Sequence, residues 1–189
     1  MHMNVYQNCP FFVTPSFTLR LVRREDAPGL LKVYSCKQAQ NYFNCDDCNS
    51  DFRYSTLEEM EQCIDFWLAS YARGDFVRWT ILDDRKRPVG TVEMLRRSDG
   101  DDGKGEGILR IDLTSRYEFT DVFQQILYTI LPAMHEIFHC ERILTKALPH
   151  MMQRRVGLVL LGFIPCKKPL IGQGGIELPH YWARRHKLA

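Results

Sequence analysis

The sequence has no apolar run long enough to span a bilayer, which excludes a membrane-spanning helix. It also lacks the positive-then-apolar opening of a secretory signal, so no membrane association and a cytoplasmic location are expected. Net charge is scarce: 25 Lys and Arg against 23 Asp and Glu leave +2. That balance argues against a dedicated nucleic-acid binder, which concentrates basic charge. Internal repeats and an interdomain linker are missing too. The 189 residues are therefore expected to form one domain, 1–189, with an irregular lead-in over 1–16. The hydrophobic fraction of 45% is ample for one buried core.

Metal and nucleotide signatures are likewise missing. Cys45-Asp46-Asp47-Cys48 has a metal-like spacing, but no second Cys or His pair stands at a matching distance, so no metal is expected. The cysteines number 7 and are scattered, the pattern of free thiols rather than of a disulfide framework. Ser98–Gly107 is rich in Asp and Gly yet lacks calcium-loop spacing. Its glycines precede a strand, whereas those of a dinucleotide fingerprint follow one. A flexible connector is expected there.

What remains is a strand and helix pattern. Ile108–Thr114 alternates apolar and polar side chains, the period of a half-buried strand. Asp121–Phe138 puts Phe123, Ile126, Leu127, Ile130, Met134, Ile137 and Phe138 on one helical stripe, with Thr120 as its expected N-cap. Arg142–Leu148 reads as the next strand, ended by Pro149, and His150–Leu161 as a short helix stopped by Gly162. A strand, a crossover helix and a second strand make a βαβ unit with parallel strands. Upstream, Phe17–Val22 alternates as a strand, and Asp26 is expected to cap a helix reaching Ser35. Lys37–Tyr54 has no firm period and is expected to be a surface loop. Thr56–Arg73 is a helix with a capping box at Thr56 and Glu59 and a stop at Gly74. Phe76–Leu82 and Val89–Leu95 form a hairpin. Phe163–Leu170 and Ile176–Arg184 are expected to be the last two strands. The order is β α α β β β α β α β β, an α/β mixed sheet with helices on both faces.

That order, together with three stretches, resembles the GNAT superfamily of acyl-CoA N-acyltransferases, closest to the branch that acetylates N-terminal amines of ribosomal and other proteins. Phe17-Thr18-Leu19-Arg20-Leu21-Val22-Arg23-Arg24-Glu25-Asp26-Ala27 is similar to that branch's opening strand and helix. Arg78-Trp79-Thr80-Ile81 through Pro88-Val89-Gly90-Thr91-Val92 resembles its hairpin. Pro149 through Leu161-Gly162-Phe163 resembles its late helix and "L-G-F" ending. The resemblance implies a GNAT-like mixed sheet, acetyl-CoA as co-substrate and a primary-amine acceptor such as a peptide N-terminus.

In such proteins a glycine-rich loop and the following helix N-terminus cradle the coenzyme A pyrophosphate. By position, Leu113, Thr114, Ser115, Arg116, Tyr117, Thr120 and Asp121 fall at that cradle, and Met151 and Arg154 on the later helix. The sequence departs from the family pattern here. The loop glycines are replaced by side chains, which limit close backbone approach. Glu118 and Asp121 repel phosphate and Arg116 attracts it. Met151 stands for the family's Asn, Arg154 for its Ser, and Val159 for a tyrosine acid that this branch often omits. Asp112 and Glu93 are the candidate catalytic carboxylates. Asp112 shares a strand face with Arg110, so an ion pair between those two is the competing role. Trp79, Tyr181 and Trp182 are candidates for an acceptor pocket or for the core. Two readings stay open: an N-acetyltransferase, or a catalytically silent GNAT-like module that binds a ligand or protein.

Overall fold

A computed structural model describes residues 4–97 and 105–186. The strands are β1 Phe12–Val13, β2 Thr18–Leu21, β3 Val77–Leu82, β4 Pro88–Arg97, β5 Glu106–Leu113, β6 Arg142–Lys146, β7 Ile164–Pro165, β8 Leu170–Ile171, β9 Glu177–Leu178 and β10 Tyr181–Arg185. The helices are α1 Ala27–Tyr34, α2 Lys37–Gln40, α3 Leu57–Arg73, α4 Thr120–Ile137 and α5 Met152–Leu160. Eight strands form one mixed sheet in the order β1-β2-β3-β4-β5-β6-β10-β7, and β8 pairs with β9 apart from it. β5 and β6 are the parallel pair, and every other pair is antiparallel.

The sheet is covered on both faces. Leu109, Ile111 and Leu113 of β5 pack with Phe123, Ile126, Leu127 and Ile130 of α4 in the larger core. On the opposite face Leu30 and Val33 of α1 meet Met60, Ile64 and Trp67 of α3. α3 begins as expected: Thr56 Oγ1 accepts from the Glu59 amide at 3.2 Å, and Glu59 Oε2 accepts from the Thr56 amide at 3.0 Å. It ends on Gly74, whose φ of 84° is the left-handed geometry that glycine tolerates.

Several sequence expectations change. The lead-in holds a short strand, β1, pairing Phe12 with Leu19. Asp26 does not cap α1 through its side chain. Its carboxylate takes the Arg20 guanidinium at 2.7 and 2.9 Å, the Thr80 hydroxyl at 2.7 Å and the Arg23 amide at 2.9 Å. Thr120 is the first residue of α4 and Phe119 occupies its N-cap position. The Thr120 amide and hydroxyl instead donate to Gln153 Oε1, at 3.2 and 2.6 Å, tying α4 to α5. The two expected last strands become four short ones, because Pro165, Pro169 and Pro179 each remove a ladder donor. Lys37–Tyr54 is not a loop on the surface: Phe43, Asn44 and Phe52 are buried. The expected connector at Ser98–Gly107 falls mostly outside the described residues, and Glu106 and Gly107 belong to β5.

Candidate active site

The parallel pair makes the feature that matters. β5 and β6 are in register only at Glu106/Arg142, Gly107/Ile143 and Ile108/Leu144. Beyond Ile108, β5 runs on through Leu113 while remaining paired with β4, so the strands fork. The fork frees the β6-facing backbone groups of Leu109–Leu113, which must find partners elsewhere.

The polar side chains of the forked region face α1 and α3 in two rows. Strand register sets Arg78 of β3 beside Glu93 of β4, and Glu93 beside Arg110 of β5. One row further, Thr80, Thr91 and Asp112 are neighbours. Glu93 accepts from Arg78 through Oε2 and from Arg110 through Oε1. Tyr34 of α1 donates to Asp112 Oδ2 at 3.0 Å, and Arg78 Nη1 lies 3.4 Å from the same oxygen. The Arg78 guanidinium sits 4.1 Å from the Trp67 ring centroid, a cation–π contact that also excludes water. Glu93 is 2% and Asp112 1% exposed, so burial disfavours their charge and the facing guanidiniums oppose that effect.

The two candidate carboxylates differ in proton affinity. Burial pushes Glu93 up, but the attraction of Arg78 and Arg110 more than reverses this and leaves it below its ordinary value. Burial dominates at Asp112 and holds it above its ordinary value, against the pull of Arg78 and Arg154. Its Oδ1 has no hydrogen-bond partner among the described residues. The expected Asp112–Arg110 pair is corrected: Arg110 is committed to Glu93, its cross-strand neighbour, while Asp112, whose neighbour on β4 is Thr91, is reached by the long Arg78 side chain from β3.

The cradle candidates lie at the open end of the fork. Ser115–Tyr117 form a 3-10 turn after Thr114. Its amides turn inward: Tyr117 bonds the Thr114 carbonyl at 2.8 Å, Glu118 that of Ser115 at 3.3 Å and Phe119 that of Tyr117 at 2.9 Å. Arg116 is exposed, stacked 5.0 Å from the Tyr117 ring, and Asp121 lies in the first turn of α4. Arg154 is buried at 2% exposure and donates to Glu118 Oε1 at 2.6 Å and to the Tyr42 carbonyl at 3.1 Å. Met151 is buried beside it, its sulfur accepting from the Leu148 amide at 3.3 Å.

The segment Asn44–Asp46, expected on the surface, ties across the fork. The Asp46 carbonyl accepts from Arg110 of β5 at 2.7 Å, and its carboxylate takes Lys146 of β6 at 2.7 and 2.8 Å. Asn44 donates to the Tyr181 hydroxyl of β10 at 3.1 Å. Next to this strap, a cavity of about 780 Å³ opens on the α3 side of the sheet, with Arg78, Glu93, Arg110 and Tyr181 in its wall. Of the aromatic candidates, only Tyr181 lines it. Trp79 and Trp182 are in the core, Trp79 donating to the Pro10 carbonyl at 2.8 Å. Tyr34, Arg78 and Asp46 were missed as site residues. Arg78 had one available signal, its place on a polar strand face shared with Thr80.

This architecture, with its forked parallel pair, is the GNAT fold. The chain is similar to an acetyltransferase of the GNAT family from Bacillus anthracis, at 11% identity and a TM-score of 0.66, over 93% of this chain and 98% of that one. It is similar to Mycobacterium smegmatis RimJ in complex with CoA-disulfide, at 16% identity and a TM-score of 0.71, over 93% and 86%. It is also similar to the Salmonella typhimurium acetyl transferase that modifies the N-terminal serine of ribosomal protein L7/L12, at 11% identity and a TM-score of 0.67, over 94% and 100%. These neighbours in structure include acetyltransferases of the ribosomal-protein branch. No family model and no curated protein matches the sequence.

Proposed function

We propose that the protein is an acyl-CoA-dependent N-acyltransferase that moves an acetyl group from acetyl-CoA to a primary amine, a peptide N-terminus being one such acceptor. The observation that carries this reading is the fork between β5 and β6, which releases strand amides beside a helix N-terminus. Both can receive an anionic, carbonyl-bearing ligand. The neighbours solved with coenzyme A support the choice of co-substrate.

Leu113 and Thr114 would line the thioester, and the developing oxyanion would take a freed amide of β5. The pyrophosphate would meet Ser115, Arg116, Tyr117, Thr120 and Asp121, with Met151 and Arg154 behind it. Of the two carboxylates, Asp112 is the better base. Its proton affinity is raised and one oxygen is free, whereas both Glu93 oxygens are taken. Glu93 then positions the arginines.

A second reading has its own observation. Glu118 holds Arg154 in a buried pair at the cradle, and three cradle amides are bonded within the loop. That arrangement suits a module that no longer takes coenzyme A. Release of free thiol from acetyl-CoA, followed over a panel of amines and peptides, separates the two. Turnover that falls in Asp112→Asn without weaker acetyl-CoA binding supports transfer. No binding of acetyl-CoA at millimolar concentration, with the protein folded, supports the silent module.

A further inference from the structure

The cavity on the α3 side has the size of a small-molecule site. Phe52, Tyr54, Phe66, Trp67, Phe76 and Tyr181 give it an aromatic wall. Its charges are unevenly engaged. Each acid already has a partner: Glu93 holds two guanidiniums, Glu59 caps α3, Asp47 accepts from the Gln173 amide at 3.0 Å, and Asp75 pairs with Arg73 at 2.7 Å.

The arginines have donors to spare. Among the described residues, Arg78 Nε, Arg97 Nη1 and Arg110 Nε are buried nitrogens that find no acceptor. Among the described residues, only Arg154 Nε is another such arginine nitrogen, and Arg154 does not line this cavity. A buried donor left unmade is costly, and three of the arginines in this wall carry one, which an anionic ligand would engage as their guanidiniums turn toward it. Arg110, 7% exposed, supplies one from the sheet, and Arg97 supplies another from the end of β4, where its Nη2 is anchored to the Ile171 carbonyl at 2.7 Å. Five arginines against four carboxylates leave the wall one positive charge in excess, which matches a monoanion better than a phosphate dianion.

We infer that this cavity binds a carboxylate on an aromatic or aliphatic body, received by Arg110 and Arg97. An amine on the same molecule would lie toward Tyr181, on β10 beside β6, across the fork from Arg110. A free amino acid and the N-terminal residue of an acidic peptide both carry this chemistry. The ligand's role as acyl acceptor rests on the acyltransferase reading, but its binding does not.

The test is calorimetric titration of the full chain without acyl-CoA. The probes are L-phenylalanine, L-leucine and L-glutamate, the phenylalanine and leucine amides, and a tetrapeptide beginning with Glu. At least one carboxylate should bind. A free amino acid that binds should lose about tenfold or more in affinity as its amide, the weight of one charge-assisted contact. Arg97→Gln, at the rim, and Arg110→Lys, which keeps the charge beside Glu93, should each weaken the acid and leave the amide unchanged. Binding of the tetrapeptide alone would assign the site to acidic N-termini, and binding of the amino acids alone to free amino acids. The inference is overturned if no probe binds at about 10 mM, if an amide binds as well as its acid, or if neither substitution matters. Carboxylate binding with no acyl transfer would leave it standing while removing the acceptor role. Transfer to amines with no carboxylate bound in the titrations would remove the inference while leaving transfer intact.

Discussion

Glu93→Gln isolates the charge row on which the site is built. The side chain is 3% exposed and, among the described residues, is the only carboxylate shared by Arg78 and Arg110, themselves 1% and 8% exposed. Glutamine keeps the shape and one acceptor oxygen but removes the charge. Two buried guanidiniums would then have Asp112 alone, 3.4 Å from Arg78. Breaking one side of a buried ion pair costs about 3–5 kcal/mol. In a chain of this length that lowers the melting temperature by on the order of 10 °C.

The pH dependence checks the cause. Burial raises Glu93, and the two arginines more than reverse it, so the native carboxyl lies below its ordinary value of 4.5. A group depressed in the native state contributes stability that is present above its unfolded pKa and lost as pH falls through its native pKa. Urea unfolding of wild type and Glu93→Gln should therefore show a full gap at pH 7 that closes below about pH 4.5. Replacing Arg78, Glu93, Arg110 and Asp112 together by Met, Leu, Met and Asn should recover most of the loss, because no uncompensated charge remains in the row. A gap under about 1 kcal/mol at pH 7, or one constant down to pH 3, would refute the buried row as a structural element.

Three other outcomes are expected. Glu118→Gln, which frees Arg154 and removes a carboxylate from the cradle, should tighten coenzyme A binding by about tenfold in calorimetry; weaker binding would make the Arg154–Glu118 pair part of the site. Thr56→Ala should cost about 1 kcal/mol in urea unfolding through loss of the α3 cap, and a change under a few tenths would show the cap idle. Cys36 should react first with iodoacetamide in the native protein: the Ala39 amide holds its thiol below the ordinary value, while buried Cys63 and Cys140 are pushed up to about 11 and should wait for unfolding. Earlier labelling of Cys63 would contradict that order.

The elements were legible because their signals are local. α3 carries its cap, stripe and glycine stop within the sequence of the helix itself, and α4 its stripe. The polar face of β3 and β5 misled for the opposite reason. Alternation in Val77–Leu82 and Glu106–Leu113 reads as one face to the core and one to solvent, yet both strands are buried throughout. α1 and α3 cover the second face, and its polar residues are satisfied by neighbouring strands that a single strand's period cannot show. Arg78 and Tyr34, far apart in sequence, meet Asp112 only through the sheet register and the packing of α1. The strap at Asn44–Asp46 was illegible because its partners, Arg110, Lys146 and Tyr181, lie on three strands far downstream.

Amide hydrogen exchange with and without acetyl-CoA tests the forked strand pair as the cofactor site most directly. Saturating acetyl-CoA should slow exchange across 109–121 and 151–155, the freed half of β5, the cradle and the start of α5, and leave α3 unchanged. At about a hundred times its dissociation constant it should also add about 2.7 kcal/mol of stability. Unchanged exchange in both stretches at millimolar acetyl-CoA, with the protein folded, would contradict an acyl-CoA site in the fork.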